Sequence, residues 1–252
     1  MSYNLKDIRS DLPKEGSVIV YWLGGAGFVF KFATGEVICI DPYLSDCVER
    51  MFGFRRLSLA PILPEELRFD YLLLTHDHMD HLDVDSFETL VKANPGCHVI
   101  APECCEDFLN SKGIAYKLTY SGAIHKCGSI QVEATKADHG ELCSSAVGFL
   151  MTFANHTLYF TGDTGYNETF MSPIIATKPD IVIPCINGAY GNLSEDESST
   201  LVAKCQAKST IPAHFWLFAE HGGNPETFRT QVAAKSPQTQ VLLLTPGRGQ
   251  EI

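Results

Sequence analysis

An α/β fold in four layers, with two mixed β-sheets face to face and helices on both outer faces, is predicted from three observations. The first third of the chain holds strand-like runs joined by connections too short for the crossover helices that parallel strands need. The rest alternates strand-like with helix-like segments. The 252 residues are 45% hydrophobic, enough to bury a large core in one domain spanning residues 1–252. An αββα layering (α/β in alternation, α+β in its antiparallel part) satisfies all three.

Each element follows from local composition. "SVIVYWL" from Ser17, "GFVFKFA" from Gly27 and "EVICID" from Glu36 are rich in β-branched and aromatic residues, with Gly24, Gly25, Thr34 and Gly35 as breaks. They read as an antiparallel meander. Residues 42–69 read as irregular, carry Arg50, Arg55 and Arg56, and close on "PEELR", read as a turn of helix. "YLLLT" is then a buried strand. Helical periodicity follows over 84–93 and 103–111, with short strands at "HVIA" and near "IAYKLT". "IQVEAT", "AVGFLMTF" and "TLYFTG" add three strands. The last third alternates a helix over 169–177, strand "IVIPC", a helix over 195–207, strand "STIPA", a helix over 225–234 and strand "VLLLT".

Composition excludes several functions. The formal net charge of −11, without any run of Lys or Arg, argues against nucleic acid and leaves a small molecule as the expected partner. The first sixteen residues are polar, and no stretch approaches 18 uninterrupted apolar residues, so a soluble cytoplasmic protein with no membrane role is expected. Nine cysteines without a C-x-x-C pair read as reduced thiols, mostly packed in the core. The apolar tail "VLLLTPGRGQEI" hints at a homo-oligomer.

The chemistry is concentrated in "LLLTHDHMDHLD", which sets three histidines and three aspartates into eight consecutive positions, His76 to Asp83. On an extended segment the rings of His76 and His78, two residues apart, point the same way and can grip one ion. Asp80 and His81 are adjacent, leave the backbone on opposite sides, and can turn toward a second ion. Two ions need further ligands. His139 in "KADHGE", Asp163 in "LYFTGDTGY" and His214 in "TIPAHFW" each follow a β run, where open α/β sheets collect functional residues. Asp41, ending "EVICID", is a fourth acid in such a place.

In order and spacing, Asp41, His76-Asp77-His78-Met79-Asp80-His81, His139, Asp163 and His214 resemble the five motifs of the metallo-β-lactamase superfamily. Within it, "WLGGAGF", "IDPYLSD", "THDHMDHLD", "GDTGY", "INGAYGNL" and "AEHGG" are most similar to the ascorbate-6-phosphate lactonase-like branch of metal-dependent hydrolases. The resemblance implies the metallo-β-lactamase fold. It also implies that His76, His78 and His139 bind one metal, that Asp80, His81 and His214 bind the other, and that Asp163 bridges them. Asp41 is then the acid that orients a ligand histidine. Leu82 and Asp83 stand where many superfamily hydrolases have a Gly pair, which agrees with the lactonase-like branch.

Such a centre implies one or two divalent ions, zinc or manganese with iron as an alternative, which activate a water as hydroxide. The expected reaction is hydrolysis of a small anionic substrate, a lactone or phosphorylated metabolite, with Asp80, Asp163 and His214 in catalysis and Asp80 as the proton relay. Arg55 and Arg56 are candidates for a substrate phosphate, against a solvated basic patch. Asn187, Tyr190 and His221 are candidates for the pocket, with turn chemistry as the competing role for Asn187. His98, His125 and His156 read as structural, and Thr164 as a turn residue. "GGAGF" lacks G-x-G-x-x-G and leads into a strand, which rules out a dinucleotide loop. Alternatives in the same fold are a phosphodiesterase, a non-catalytic metal-binding regulator, and a di-iron redox protein, which would need a flavin partner.

Overall fold

The computed structural model describes residues 3–252. After the short strand β1 (Tyr3–Asn4), the expected meander is formed by β2 (Val18–Gly24), β3 (Gly27–Phe32) and β4 (Val37–Ile40), paired antiparallel. Helix α1 (Cys47–Phe52) is followed by β5 (Tyr71–Leu73), α2 (Phe87–Ala93), β6 (His98–Pro102), α3 (Glu106–Ser111) and β7 (Tyr116–Thr119). The second half holds β8 (Ile124–Cys127), β9 (Ile130–Lys136), β10 (Val147–Phe153), β11 (His156–Phe160), α4 (Glu168–Thr177), β12 (Ile181–Ile183) and α5 (Glu195–Cys205). It closes with β13 (Ser209–Thr210), α6 (Pro225–Lys235), β14 (Gln240–Val241) and β15 (Arg248–Glu251). One sheet runs β1-β15-β2-β3-β4-β5-β6-β7 and the other β14-β13-β12-β11-β10-β9-β8, each antiparallel in one part and parallel in the other.

Strand alternation builds the layers. Val18, Val20 and Trp22 of β2 point between the sheets with Phe28, Phe30 and Phe32 of β3, and meet Phe149 and Met151 of β10. Ile19, Tyr21 and Leu23 point the other way, onto Phe87 and Leu90 of α2 and Leu109 of α3. Both faces of β2 are therefore buried, which is why "SVIVYWL" shows no polar alternation. Helices α4, α5 and α6 cover the second sheet through Met171, Ile174, Leu201, Val202, Phe228 and Val232. Their starts are capped by Asn167, by a Ser194–Glu197 capping box, and by Asn224 before Pro225.

Four local expectations change. The segment read as irregular contains α1, which packs Val48 beside Tyr43, Leu217 and Phe218. "PEELR" makes a turn, with Glu66 and Leu67 N–H both donating to Leu63 O, and goes no further. Strand β8 was invisible because its burial is inverted: Ile124 is exposed while His125 and Cys127 are buried. The apolar tail is part of the fold, since Val241, Leu242, Leu244 and Ile252 pack against the core and Arg248–Glu251 pair with β2 and β1. No helix among the described residues is long and apolar enough to cross a membrane.

Candidate metal centre

The site lies where strands of both sheets end. Asp41 follows β4, the His76–His81 loop follows β5, His139 follows β9, Asp163 follows β11, and His214 follows β13. Backbone conformation serves this convergence. Asp41 and His214 have φ of +46° and +56°, a region that costs most side chains free energy. Gly162, at φ +62°, leaves no room for a Cβ, which would sit 2.7 Å from the carbonyl oxygen of Val147, so only glycine lets Asp163 turn inward here. Gly25, at φ +55°, also adopts the left-handed region, and its carbonyl accepts from His214 N–H at 2.8 Å and from Trp22 Nε1–H at 2.9 Å.

The side chains form two joined groups. His76 Nε2 is 2.9 Å and His139 Nε2 3.2 Å from His78 Nδ1. His81 Nε2 is 3.1 Å from His214 Nε2, which lies 3.3 Å from Asp80 Oδ2. Asp163 joins them: its carboxylate lies within 4.8 Å of ring nitrogens of both His76 and His81, with Oδ1 3.4 Å from His81 Nε2 and Oδ2 3.2 Å from His214 Nε2. The change of direction between His78 and His81 comes from a turn, in which His81 and Leu82 N–H donate to His78 O at 2.9 and 2.8 Å. Strand alternation, the route expected for it, is not what separates them.

Tautomers are set from behind. Asp41 Oδ2 accepts from the Thr75 hydroxyl at 2.5 Å and from His81 Nδ1–H at 2.8 Å, and Asp41 Oδ1 accepts from Thr75 N–H at 2.9 Å. Because its proton is committed to Asp41, the Thr75 oxygen accepts from His76 Nδ1–H at 2.9 Å. One buried carboxylate thus fixes Nδ1 of both His76 and His81 as a donor and turns Nε2 of each toward the site. Asn192 Nδ2 donates to Asp163 Oδ2 at 2.7 Å.

The residues fit a metal ion. His76, His78 and His139 can present one nitrogen each within 4.8 Å of one another; so can the donor atoms of His76, His81 and Asp163, and of Asp80, His81 and His214. Asp163 Oδ1 is buried without a hydrogen-bond partner, an arrangement that normally costs free energy. Burial opposes charge on Asp163 and Asp80, yet His214 and His81 hold Asp163, and His81 and His214 hold Asp80, far below the usual carboxylate range. Burial likewise opposes charge on His81 and His214, but Asp163 and Asp80 raise both. Burial and the neighbouring imidazoles push His76 and His78 down and His139 down to about 4, so these three stay neutral. One buried and one half-buried carboxylate among five imidazoles, without thiolate, suit zinc, manganese or iron.

In front of the centre lies a cavity of about 440 Å³. Its floor is His78, Asp80, Asp163 and His214; its walls include Val48, Phe52, Phe54, Met79, Leu142 and Phe218; Asp77, Tyr190 and His221 complete it. The His221 ring is 4.7 Å from that of His214, and its Nε2 is 3.7 Å from Asp80 Oδ2; burial and His214 lower it to about 4. Arg55 and Arg56 do not line the cavity. Arg55 is exposed, while Arg56 donates to Tyr43 O and Ser58 O and lies over the Tyr43 ring. Asn187 is buried in the turn after β12 with its amide toward Ala189 O, away from the lining. His98 stacks on Tyr71, His125 bonds Thr119, and His156 lies 3.7 Å from Asp180, each clear of the centre. Thr164 accepts from Asp138 N–H, as a turn residue does.

Sequence reasoning overlooked Thr75, Asn192, Asp83 and the apolar wall. Asp83 is fully buried and accepts from Leu44 N–H, Ser45 N–H and the Ser45 and Ser86 hydroxyls, tying the histidine loop to the segment after β4. The aspartate ending the cluster was a signal that could have marked it. Val48, Phe52 and Phe54 of the wall lie inside residues 42–69, whose helix went unread.

Comparison with known proteins agrees with this geometry. A family model described as the beta-lactamase superfamily domain matches residues 19–214. A protein of Methanosarcina mazei described as a metal-dependent hydrolase is 26% identical over 242 residues, covering 90% of this chain and 96% of that one. Among solved structures, the metallo hydrolase Igni18 of Ignicoccus hospitalis superposes with a TM-score of 0.77 at 20% identity, covering 94% of this chain and 98% of that one. An isothiocyanate hydrolase from Delia radicum gut bacteria gives 0.73 at 19%, covering 93% and 98%. The αββα layers are thus the metallo-β-lactamase fold, and the chain belongs to the beta-lactamase superfamily.

Proposed function

We propose that this protein is a metal-dependent hydrolase of a small molecule, a lactone or related carboxyl derivative, working with one or two zinc or manganese ions, or iron. The observation that carries the reading is that the Asp163 carboxylate reaches both nitrogen-rich groups: one of its oxygens lies within 4.8 Å of ring nitrogens of His76 and His81, and Oδ2 is 3.2 Å from His214 Nε2. His76, His78 and His139 would hold one ion, Asp80, His81 and His214 the other, with Asp163 shared. A divalent cation there supplies polarisation of the scissile group and a lowered pKa for a neighbouring water.

The protein's own groups do the rest. Asp41 and Thr75 hold Nδ1 of His81 and His76 so that Nε2 of each faces the site, and Asn192 holds Asp163 in place. Phe52, Phe54 and Leu142 give the cavity an apolar side facing the centre. Asp80 and His221 face the cavity within 3.7 Å of each other and are the groups able to pass a proton to a leaving group. The metal-dependent hydrolase description of the Methanosarcina relative and the hydrolysis named for the isothiocyanate enzyme support the reaction class. A phosphodiesterase finds less support, because neither Arg55 nor Arg56 lines the cavity to meet a phosphate.

Elemental analysis of the purified protein beside an Asp163→Asn variant, together with lactone hydrolysis by both, tests this. One to two equivalents of metal in the wild type, with metal and turnover both lost in the variant, are expected. Wild-type protein that stays metal-free after soaking in zinc or manganese would sink the reading in favour of a non-catalytic role.

A further inference from the structure

We propose that the substrate carries an uncharged apolar arm, which lies against the wall formed by α1, the following loop and the loop after His139. The inference rests on the hydrolase reading above and adds the substrate class. The cavity has two unlike sides. Its floor is histidine and aspartate, whereas Val48, Phe52, Phe54, Met79, Leu142 and Phe218 face that floor from several separate segments. Phe52 and Leu142 are 60% and 55% exposed, so large apolar groups stand in water beside a floor of histidine and aspartate.

Charge sharpens the choice. Among the described residues the lining contains no lysine or arginine, and the one charged residue outside the floor and His221 is the acid Asp77. An anionic arm would lose hydration against the apolar wall, gain no partner, and sit beside that carboxylate. An apolar arm gains by covering Phe52 and Leu142. The volume of about 440 Å³ is that of an ordinary small-molecule site, with room for an arm of several carbons beyond the reacting group.

Matched hydroxamates, which share one metal-chelating head, separate the arm from the chemistry. The probes are acetohydroxamate, hexanohydroxamate, adipic monohydroxamate and 6-aminohexanohydroxamate, titrated calorimetrically into metal-loaded protein. Hexanohydroxamate is expected to bind at least about tenfold tighter than acetohydroxamate, since each buried methylene contributes roughly fourfold. The two chains with charged ends are expected to gain less than threefold. Leu142→Lys, at an exposed loop position, should cut the hexanoyl gain and favour the adipic chain. Equal affinities across the series, or a preference for either charged end, overturn the inference while leaving the hydrolase reading intact. Metal content measured on the same samples reports on that reading, and its absence would overturn both.

Discussion

Asp41 Oδ2 lies 2.8 Å from His81 Nδ1 with both side chains fully buried, and through the Thr75 hydroxyl the same oxygen also governs His76. Two imidazoles that belong to different halves of the centre are therefore oriented by one carboxylate. Asn tolerates the φ of +46° at position 41 as well as Asp does, so Asp41→Asn removes the charge and keeps the backbone. It should weaken metal affinity about 10- to 100-fold with little loss of stability, whereas Asp41→Ala should add about 1 kcal/mol of backbone cost. Competition with a chelator and urea unfolding check the two variants; equal metal affinity in Asp41→Asn and wild type would refute the orienting role.

Asp83 has a different task. Its carboxylate accepts from Leu44 and Ser45 just before α1 and from Ser86 just before α2, all buried or half-buried. Asp83→Ala leaves several donors without partners and should cost about 3 kcal/mol or more, with metal binding lost as the histidine loop detaches. Asp83→Asn should cost less. A denaturant midpoint unchanged in Asp83→Ala would contradict this.

Metal removal should be visible in stability alone. An ion present at about 100 times its Kd stabilises the folded state by about 2.7 kcal/mol, which for a chain of this length is roughly 5–10 °C in Tm. Calorimetry with and without chelator measures it, and Asp163→Asn should show no chelator response.

His221 faces the cavity beside Asp80 and belongs to neither triad. His221→Gln is expected to retain metal while kcat falls by about two orders of magnitude. Metal loss in that variant would instead make His221 part of the coordination.

One pH dependence follows from the last strand. The Glu251 carboxylate accepts from Lys14 N–H at 2.6 Å, the Ser17 hydroxyl at 2.7 Å and the Tyr3 hydroxyl at 2.9 Å, and these bonds lower it from 4.5 to about 2. A depressed folded-state value means the stabilisation is complete above pH 4.5 and is lost as pH falls toward 2. Glu251→Gln should therefore reduce stability at neutral pH and narrow its gap to wild type through that window. Parallel curves from pH 6 to 2 would exclude the effect.

What the sequence by itself determined was the inventory of donors and the order of layers. His76 to His81, His139, Asp163 and His214 stood out because unusual polar residues follow apolar runs, and a strand end is where a side chain can leave the sheet without breaking its ladder. The meander was legible because β2, β3 and β4 are joined by a few residues each. What only the tertiary structure decided was relation across the chain: His81 meets His214 at 3.1 Å across 133 residues, and no periodicity encodes that. Thr75 was unreadable because its role consists in holding two groups that only folding brings together. Helix α1 was missed because its six residues are too few for a 3.6-residue period to register, and yet Phe52 from it builds the wall that faces the centre.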